Sequence, residues 1–189
     1  KNYKSFVEEA SFSMVAAPKQ KGLDYSLMKT KIKGKEIKGL SSSVIYGPNA
    51  AGKTNIIGAM DVLRSIVLRG NIRNSEEKSS PNPAASALEL IPNNNESEAK
   101  PVCFEIEFYE EDGEEHKFKI HYELQIDLGT FLEEEYQRKI LAEVLEVNGE
   151  RVFERREGLK VENLKVIKDY LSDITEQNAE SINEIAKNS

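Results

Sequence analysis

From Val102 onwards the apolar positions fall on every second residue. Val102, Phe104, Ile106 and Phe108 alternate with Cys103, Glu105 and Glu107, and Phe118, Ile120, Tyr122, Leu124, Ile126 and Leu128 alternate with polar or charged neighbours. A period of two marks strands with one buried face. Glu111-Asp112-Gly113 reads as the turn between them. A third run spans about Arg138 to Val147 and a fourth Arg151 to Arg155, with Asn148-Gly149 between. Asn-Gly between two such runs predicts a hairpin, because both turn residues must take positive φ. Residues 101–157 therefore read as an antiparallel meander.

Upstream the period changes. Between Lys53 and Arg69 the apolar residues fall at Ile56, Ile57, Met60, Leu63, Ile66 and Val67, the spacing of a one-sided helix, and Gly70 follows as its C-terminal cap. Residues 2–7 and 11–16 are short β-prone runs. Residues 17–43, rich in Lys, Gly and Ser, read as a loop with one strand from Tyr25 to Ile32. Ser43 to Tyr46 reads as a short apolar strand. Residues 71–100, rich in Asn, Ser, Pro and Glu, read as a long mobile loop. Residues 162–171 and about 176–187 read as helices, with Leu164, Ile167, Leu171, Ile182 and Ile185 as apolar stripes. The expected organisation is one domain: residues 1–70, a loop at 71–100, the meander at 101–157 and helices at 158–189.

Composition narrows the class. The 189 residues are 39% hydrophobic and 31% charged, with one cysteine. No stretch approaches the roughly 18 apolar residues of a membrane span. A single Cys103 allows neither an internal disulfide framework nor a multi-cysteine metal site. No apolar export segment opens the sequence, so a cytoplasmic, non-membrane protein is expected. The first residue is Lys, and Asn2 to Phe6 already reads as strand, so a few preceding residues are expected. Charge is unevenly placed: residues 1–60 hold 10 Lys against 4 acidic residues, residues 96–135 hold 14 acidic residues against 3 Lys, and the net charge is -7. The acidic stretch reads as the solvated face of the strands. A nucleic-acid surface has support only near the basic N-terminal part.

One motif carries specific chemistry. Gly47-Pro48-Asn49-Ala50-Ala51-Gly52-Lys53-Thr54 fits the phosphate-binding (Walker A) pattern, between an apolar run and an amphipathic helix. The glycines let the backbone curl so that successive N–H groups face a phosphate. The helix beginning near Lys53 adds its positive end. Lys53 is suited to the β- and γ-phosphates, and the Thr54 hydroxyl to a Mg²⁺ ion bridging phosphate oxygens. ATP and Mg²⁺ are the expected ligands, held by residues 47–55. The expected architecture is α/β, a P-loop NTPase in which a small mixed sheet carries the loop and its helix, flanked by the meander and C-terminal helices.

The runs Asn2-Tyr3-Lys4-Ser5-Phe6, Phe12, Val44-Ile45-Tyr46-Gly47-Pro48-Asn49 and Gly52-Lys53-Thr54-Asn55-Ile56-Ile57, with Ala59, resemble the opening of SMC/RecF-like ATPases, which have ABC-type heads. A closer resemblance is to the AAA-labelled ATPases of the abortive-infection and OLD-like group, and it covers about residues 2–69. It implies the first lobe of a head, a homodimer that sandwiches ATP, and an effector protein or nucleic acid as partner. It also implies roles near the γ-phosphate for Asn49 and Asn55, and near the nucleotide for Lys4.

Such heads also need a Walker B segment, several apolar residues followed by Asp-Glu, and a signature motif. Tyr122 to Asp127 ends in Asp but alternates, Val166-Ile167-Lys168-Asp169 is too short, and no Ser-Gly-Gly stretch occurs. The chain thus reads as the first half of a head, with no catalytic residue of its own. Lacking the water-orienting groups costs phosphoryl transfer ~10³-fold or more. Two other readings are a nucleotide-gated module that binds without hydrolysis and a small P-loop kinase, which would want more arginines than Arg64, Arg69 and Arg73. Among weaker candidates, Gln125 and Gln137 are nominal magnesium-sensing glutamines. His116 and His121, an odd number apart, fall on opposite faces of a strand. Cys103 has no basic neighbour in sequence to activate it.

Overall fold

The computed structural model describes residues 1–18, 22, 24–72, 89–94, 99–112, 116–131 and 136–166. Its elements are β1 (Leu27–Ile32), β2 (Lys35–Leu40), α1 (Lys53–Arg69), β3 (Val102–Asp112), β4 (His116–Asp127), β5 (Lys139–Val147), β6 (Glu150–Arg155) and β7 (Leu159–Val161). Strands β3 to β7 form one antiparallel sheet in chain order, and β1 and β2 a separate hairpin.

The meander forms as its alternation predicts. The register Val102↔Ile126, Phe104↔Leu124 and Ile106↔Tyr122 puts the apolar set of both strands on one face. That face packs on Val62, Leu63 and Ile66 of α1. Val102, Leu124 and Ile126 have no exposed surface. Burial of each such side chain contributes about 1.5–3 kcal/mol. Asn148 and Gly149 take φ of 56° and 81°, the left-handed pair the hairpin requires. The Asn148 side chain also accepts the Lys119 amide at 2.9 Å, fastening the turn to β4.

The sheet exceeds the expected meander by one strand. Residues 159–161, expected to open a helical region, pair instead with β6 through Phe153↔Val161. The turn at 156–158 is closed by the Arg156 amide on the Gly158 carbonyl at 3.2 Å, which returns the chain to the free edge of β6. A 3-10 turn at 164–166 follows. The rest of the two expected helices, Gly113 of the expected turn, and residues 73–88 and 95–98 of the expected loop lie outside the described residues. Glu111 and Asp112 belong to β3, so the β3–β4 connection itself is residues 113–115.

The larger corrections lie upstream. Residues 35–40, expected as loop, form β2, because Lys33 and Gly34 supply a left-handed turn pair with φ of 47° and 80°. Residues 2–7 are no strand. Tyr3 and Phe6 exchange amide bonds of 3.0 and 2.9 Å across a tight turn, with Asn2 and Lys4 at φ of 54° and 48°. This turn drives Tyr3 into the core, edge-on to Phe104 with ring centroids 5.3 Å apart. The run 11–16 is reduced to one bridge, Val15↔Gly39. Ser43 to Tyr46 is not a strand either: Val44 is 69% and Tyr46 87% exposed. A strand needs a ladder partner for its amides, and among the described residues none lies beside this run. The expected mixed sheet is therefore absent among the described residues.

Candidate phosphate-binding site

The loop from Gly47 to Gly52 joins the irregular run 42–46 to α1. A turn closes it, with the Ala51 amide on the Pro48 carbonyl at 3.3 Å. Asn49 and Ala50 form its corner, and Ala50 (φ 63°) and Gly52 (φ 85°) are left-handed. Gly52 is required on two counts. Its φ is unfavourable for a side chain, and a Cβ there would lie 2.8 Å from Ser5 Oγ. At Gly47 a Cβ would meet only ordinary contacts with Ala51 and Lys53 at 3.6 to 3.9 Å.

Helix α1 starts at Lys53, with Gly52 as a cap that contributes no side-chain hydrogen bond and no acidic residue in the first turn. The Asn55 amide turns back to the Gly52 carbonyl at 3.0 Å, whereas the Lys53 and Thr54 amides take no acceptor among the described residues. Free helix-end N–H groups beside a left-handed loop concentrate positive potential. The Lys53 ammonium folds back over the loop and donates to the Gly47 carbonyl at 2.8 Å and the Pro48 carbonyl at 2.6 Å. The Thr54 hydroxyl is on an exposed residue of the first helical turn. Residues 47–54 are thus brought together as their order requires, and they suit a phosphate chain and a hydroxyl-ligated cation.

Two sequence candidates point elsewhere. The Asn55 side chain donates to Ser5 Oγ at 2.7 Å, tying the N-terminal turn to the helix start. Lys4 pairs with Glu89 and stands 5.6 Å from the Tyr3 ring centroid. Burial opposes its charge, but the Glu89 and Tyr3 partners win and raise its pKa above the ordinary lysine value. Ser5 is the residue that sequence reasoning missed. Its only signal was membership of the Asn2–Phe6 run, and its approach to Gly52 exists only once the turn folds.

The remaining candidates do not converge on the loop. Gln125 sits within β4, opposite Cys103 and Ala142, on the sheet face away from α1. Gln137 is exposed before β5. Cys103 is half-buried with its Sγ 3.7 Å from the Pro101 carbonyl. His116 and His121 both lie in β4, five residues apart, and the His116 side chain is outside the described residues. His121 is 2.8 Å from Glu123 and 4.0 Å from Glu105, a group able to approach a cation whose acids come partly from the neighbouring strand. Lys119–Glu107 at 2.7 Å and Lys117–Glu111 at 3.5 Å occupy the same two strands, so these described acidic residues belong to a paired strand surface. Among the described residues no helix is long and apolar enough to cross a membrane.

Residues 42–184, three quarters of the chain, match the family model described as "AAA domain, putative AbiEii toxin, Type IV TA system". No curated protein and no solved structure matches the chain.

Proposed function

The chain belongs to this family of AAA domains, ATPases of the P-loop class related to abortive-infection groups, and from that premise we propose that residues 47–54 bind Mg²⁺·ATP in the first lobe of an ABC-type head. The observation that carries the reading is the start of α1: two unengaged amides, a left-handed loop and the Lys53 ammonium converge there. In this reading ATP replaces the Gly47 and Pro48 carbonyls as the partner of Lys53. The amides of Gly52, Lys53 and Thr54 take phosphate oxygens, and Asn49 faces the γ-phosphate. The Thr54 hydroxyl ligates Mg²⁺, which supplies charge neutralisation between the phosphates.

The sequence contains no apolar run ending in Asp-Glu. We therefore assign binding without appreciable turnover to these 189 residues. Hydrolysis belongs to a head completed by a Walker B carboxylate pair and closed as a homodimer around ATP. Control of a cytoplasmic effector in phage defence, or of nucleic-acid processing, is the role this family membership favours.

The test is titration of a fluorescent ATP analogue with Mg²⁺ against the wild-type chain and Lys53→Ala. Saturable binding lost in the variant, without phosphate release, supports the reading. Brisk turnover by the chain itself would sink the half-head and favour a kinase-like enzyme. Equal binding by both proteins would remove the loop from the site.

A further inference from the structure

The hairpin of β1 and β2 runs against the charge of the rest of the chain. Residues 27–40 hold five lysines and one acidic residue, in a protein of net charge -7. Directly opposed residues share a sheet face, and the register Leu27↔Leu40, Lys29↔Lys38 and Lys31↔Glu36 gathers three of the lysines on one face. The other face turns inward, with Ile32 buried and Thr30 and Ile37 half-buried. Like charges directly opposed destabilise a strand pair, and Lys29 and Lys38 are so placed. Asp24 meets Lys29 at 2.6 Å and Glu36 meets Lys38 at 3.2 Å. Among the described residues no acid pairs with Lys31 or Lys35, so the ribbon keeps an excess of positive charge.

The ribbon is fixed at its tip, its edge and its base. At the tip, Lys33 Nζ donates to the Asn148 carbonyl at 3.1 Å. Along the edge, the Leu40 amide bonds the Met14 carbonyl at 2.7 Å and the Ala16 amide the Lys38 carbonyl at 3.1 Å. At the base, the Ser41 amide and hydroxyl both donate to the Ser26 carbonyl at 3.0 Å. This ties the 3-10 turn Asp24–Ser26 to the strands and leaves Tyr25 86% exposed. An aromatic ring in solvent has a large apolar face still to bury. Lysines that track a backbone and an aromatic ring on which a base stacks are together the means of holding a single strand without reading its sequence.

We propose that Lys29, Lys31 and Lys38 on the outer hairpin face, with Tyr25 at its base, bind a single-stranded nucleic acid. The lysines take phosphates of the backbone, and one base stacks on Tyr25. An acidic peptide would satisfy the lysines and leave the ring unused. A duplex offers phosphates, but its bases are already stacked. The acid-rich surface of β3 and β4 repels a polyanion, which confines the strand to the hairpin.

The experiment titrates the chain, without ATP, into labelled oligothymidine, oligouridine and duplex DNA of about 12 nucleotides per strand, a length within the range of single-strand sites, and reads fluorescence anisotropy. Replacing Lys29, Lys31 and Lys38 together by Ala should flatten the slope of log affinity against log salt by about 2, at ~0.7 per phosphate neutralised. Tyr25→Ala should weaken binding about 5- to 150-fold with the salt slope unchanged. All four positions are exposed, so the melting temperatures of these variants should match the wild type. Lys160→Ala, an exposed lysine of β7, should bind as the wild type does. Stronger binding of oligouridine or of oligothymidine supports the proposal and identifies RNA or DNA as the partner. No binding by the folded wild type, tighter binding of the duplex than of either single strand, or undiminished binding by Tyr25→Ala overturns it. Loss of the strand in Lys53→Ala overturns it as well, because the phosphate loop would then be the site. The readout involves no ATP, so it stands or falls apart from the phosphate-site reading.

Discussion

The sheet packs against α1 and the phosphate loop leads into its N-terminus, and the two reach their conformations by opposite routes. Strands β3 to β7 find their ladder partners within residues 102–161. The apolar faces of β3 and β4 are closed by α1 together with Tyr3, Ile72 and Leu90. The run 43–46 has strand-like apolar residues, yet among the described residues it finds no ladder and leaves Val44 and Tyr46 in solvent. Apolar pattern is thus enough for a segment whose neighbours in sequence are also its neighbours in space. It is not enough for one whose partners must come from elsewhere. The loop still holds its turn, because that geometry is local: two left-handed residues, a helix end and one lysine.

This contrast can be broken by mutation. The largest expected effect is in the sheet. Leu124→Ala opens a cavity at a fully buried position in β4 and should cost about 2–5 kcal/mol in urea unfolding. A loss below about 1 kcal/mol would mean the meander does not carry the core. In the loop, Lys53→Ala should weaken ATP binding by about 10- to 150-fold, the worth of hydrogen bonds to a charged group, while the unfolding midpoint stays within experimental error. A large fall in stability would show that the Lys53 contacts to Gly47 and Pro48 are structural.

A matched pair sharpens the comparison. Gly149 and Gly52 have similar φ of 81° and 85°. Nothing lies within 4 Å of a Cβ at Gly149, whereas Gly52 faces Ser5. Gly149→Ala should cost about 1–2 kcal/mol of stability from backbone strain alone, with nucleotide binding intact. Gly52→Ala should shift the N-terminal turn and lower nucleotide affinity, with amide exchange in β3–β5 unchanged. The same response from both variants would erase the distinction between the two regions.

The smallest effect is alkaline. Burial, and then the hydrogen bond to Glu143 at 2.7 Å, push the Tyr122 hydroxyl above its ordinary value of 10.0. The folded state thus keeps a proton that the unfolded state releases. The associated stability is whole below pH 10 and is lost as pH rises beyond it, by at most about 1.4 kcal/mol per pH unit. Unfolding titrations at about pH 8 and about pH 11 should show a shallower decline for Tyr122→Phe than for the wild type.

Much of this molecule is written locally in its residues. The alternation from Val102 to Leu128, the Asn148-Gly149 turn, the α1 stripe ending at Gly70 and the Gly47–Thr54 spacing each encode geometry through neighbours a few positions apart. Those are the cases in which one residue's φ preference or side-chain period decides the outcome. Tertiary structure alone decided the rest. It turned Asn2–Phe6 into a wedge that buries Tyr3 on Phe104, and set Ser5 against Gly52. It added β7 to the open edge of β6 and, among the described residues, left Ser43–Tyr46 without a ladder. The Tyr3–Phe104 and Ser5–Gly52 contacts turn on partners tens of residues away, whereas β7 pairs with β6 residues four to eight positions upstream, and a free energy that depends on a distant partner has no signature in the local pattern.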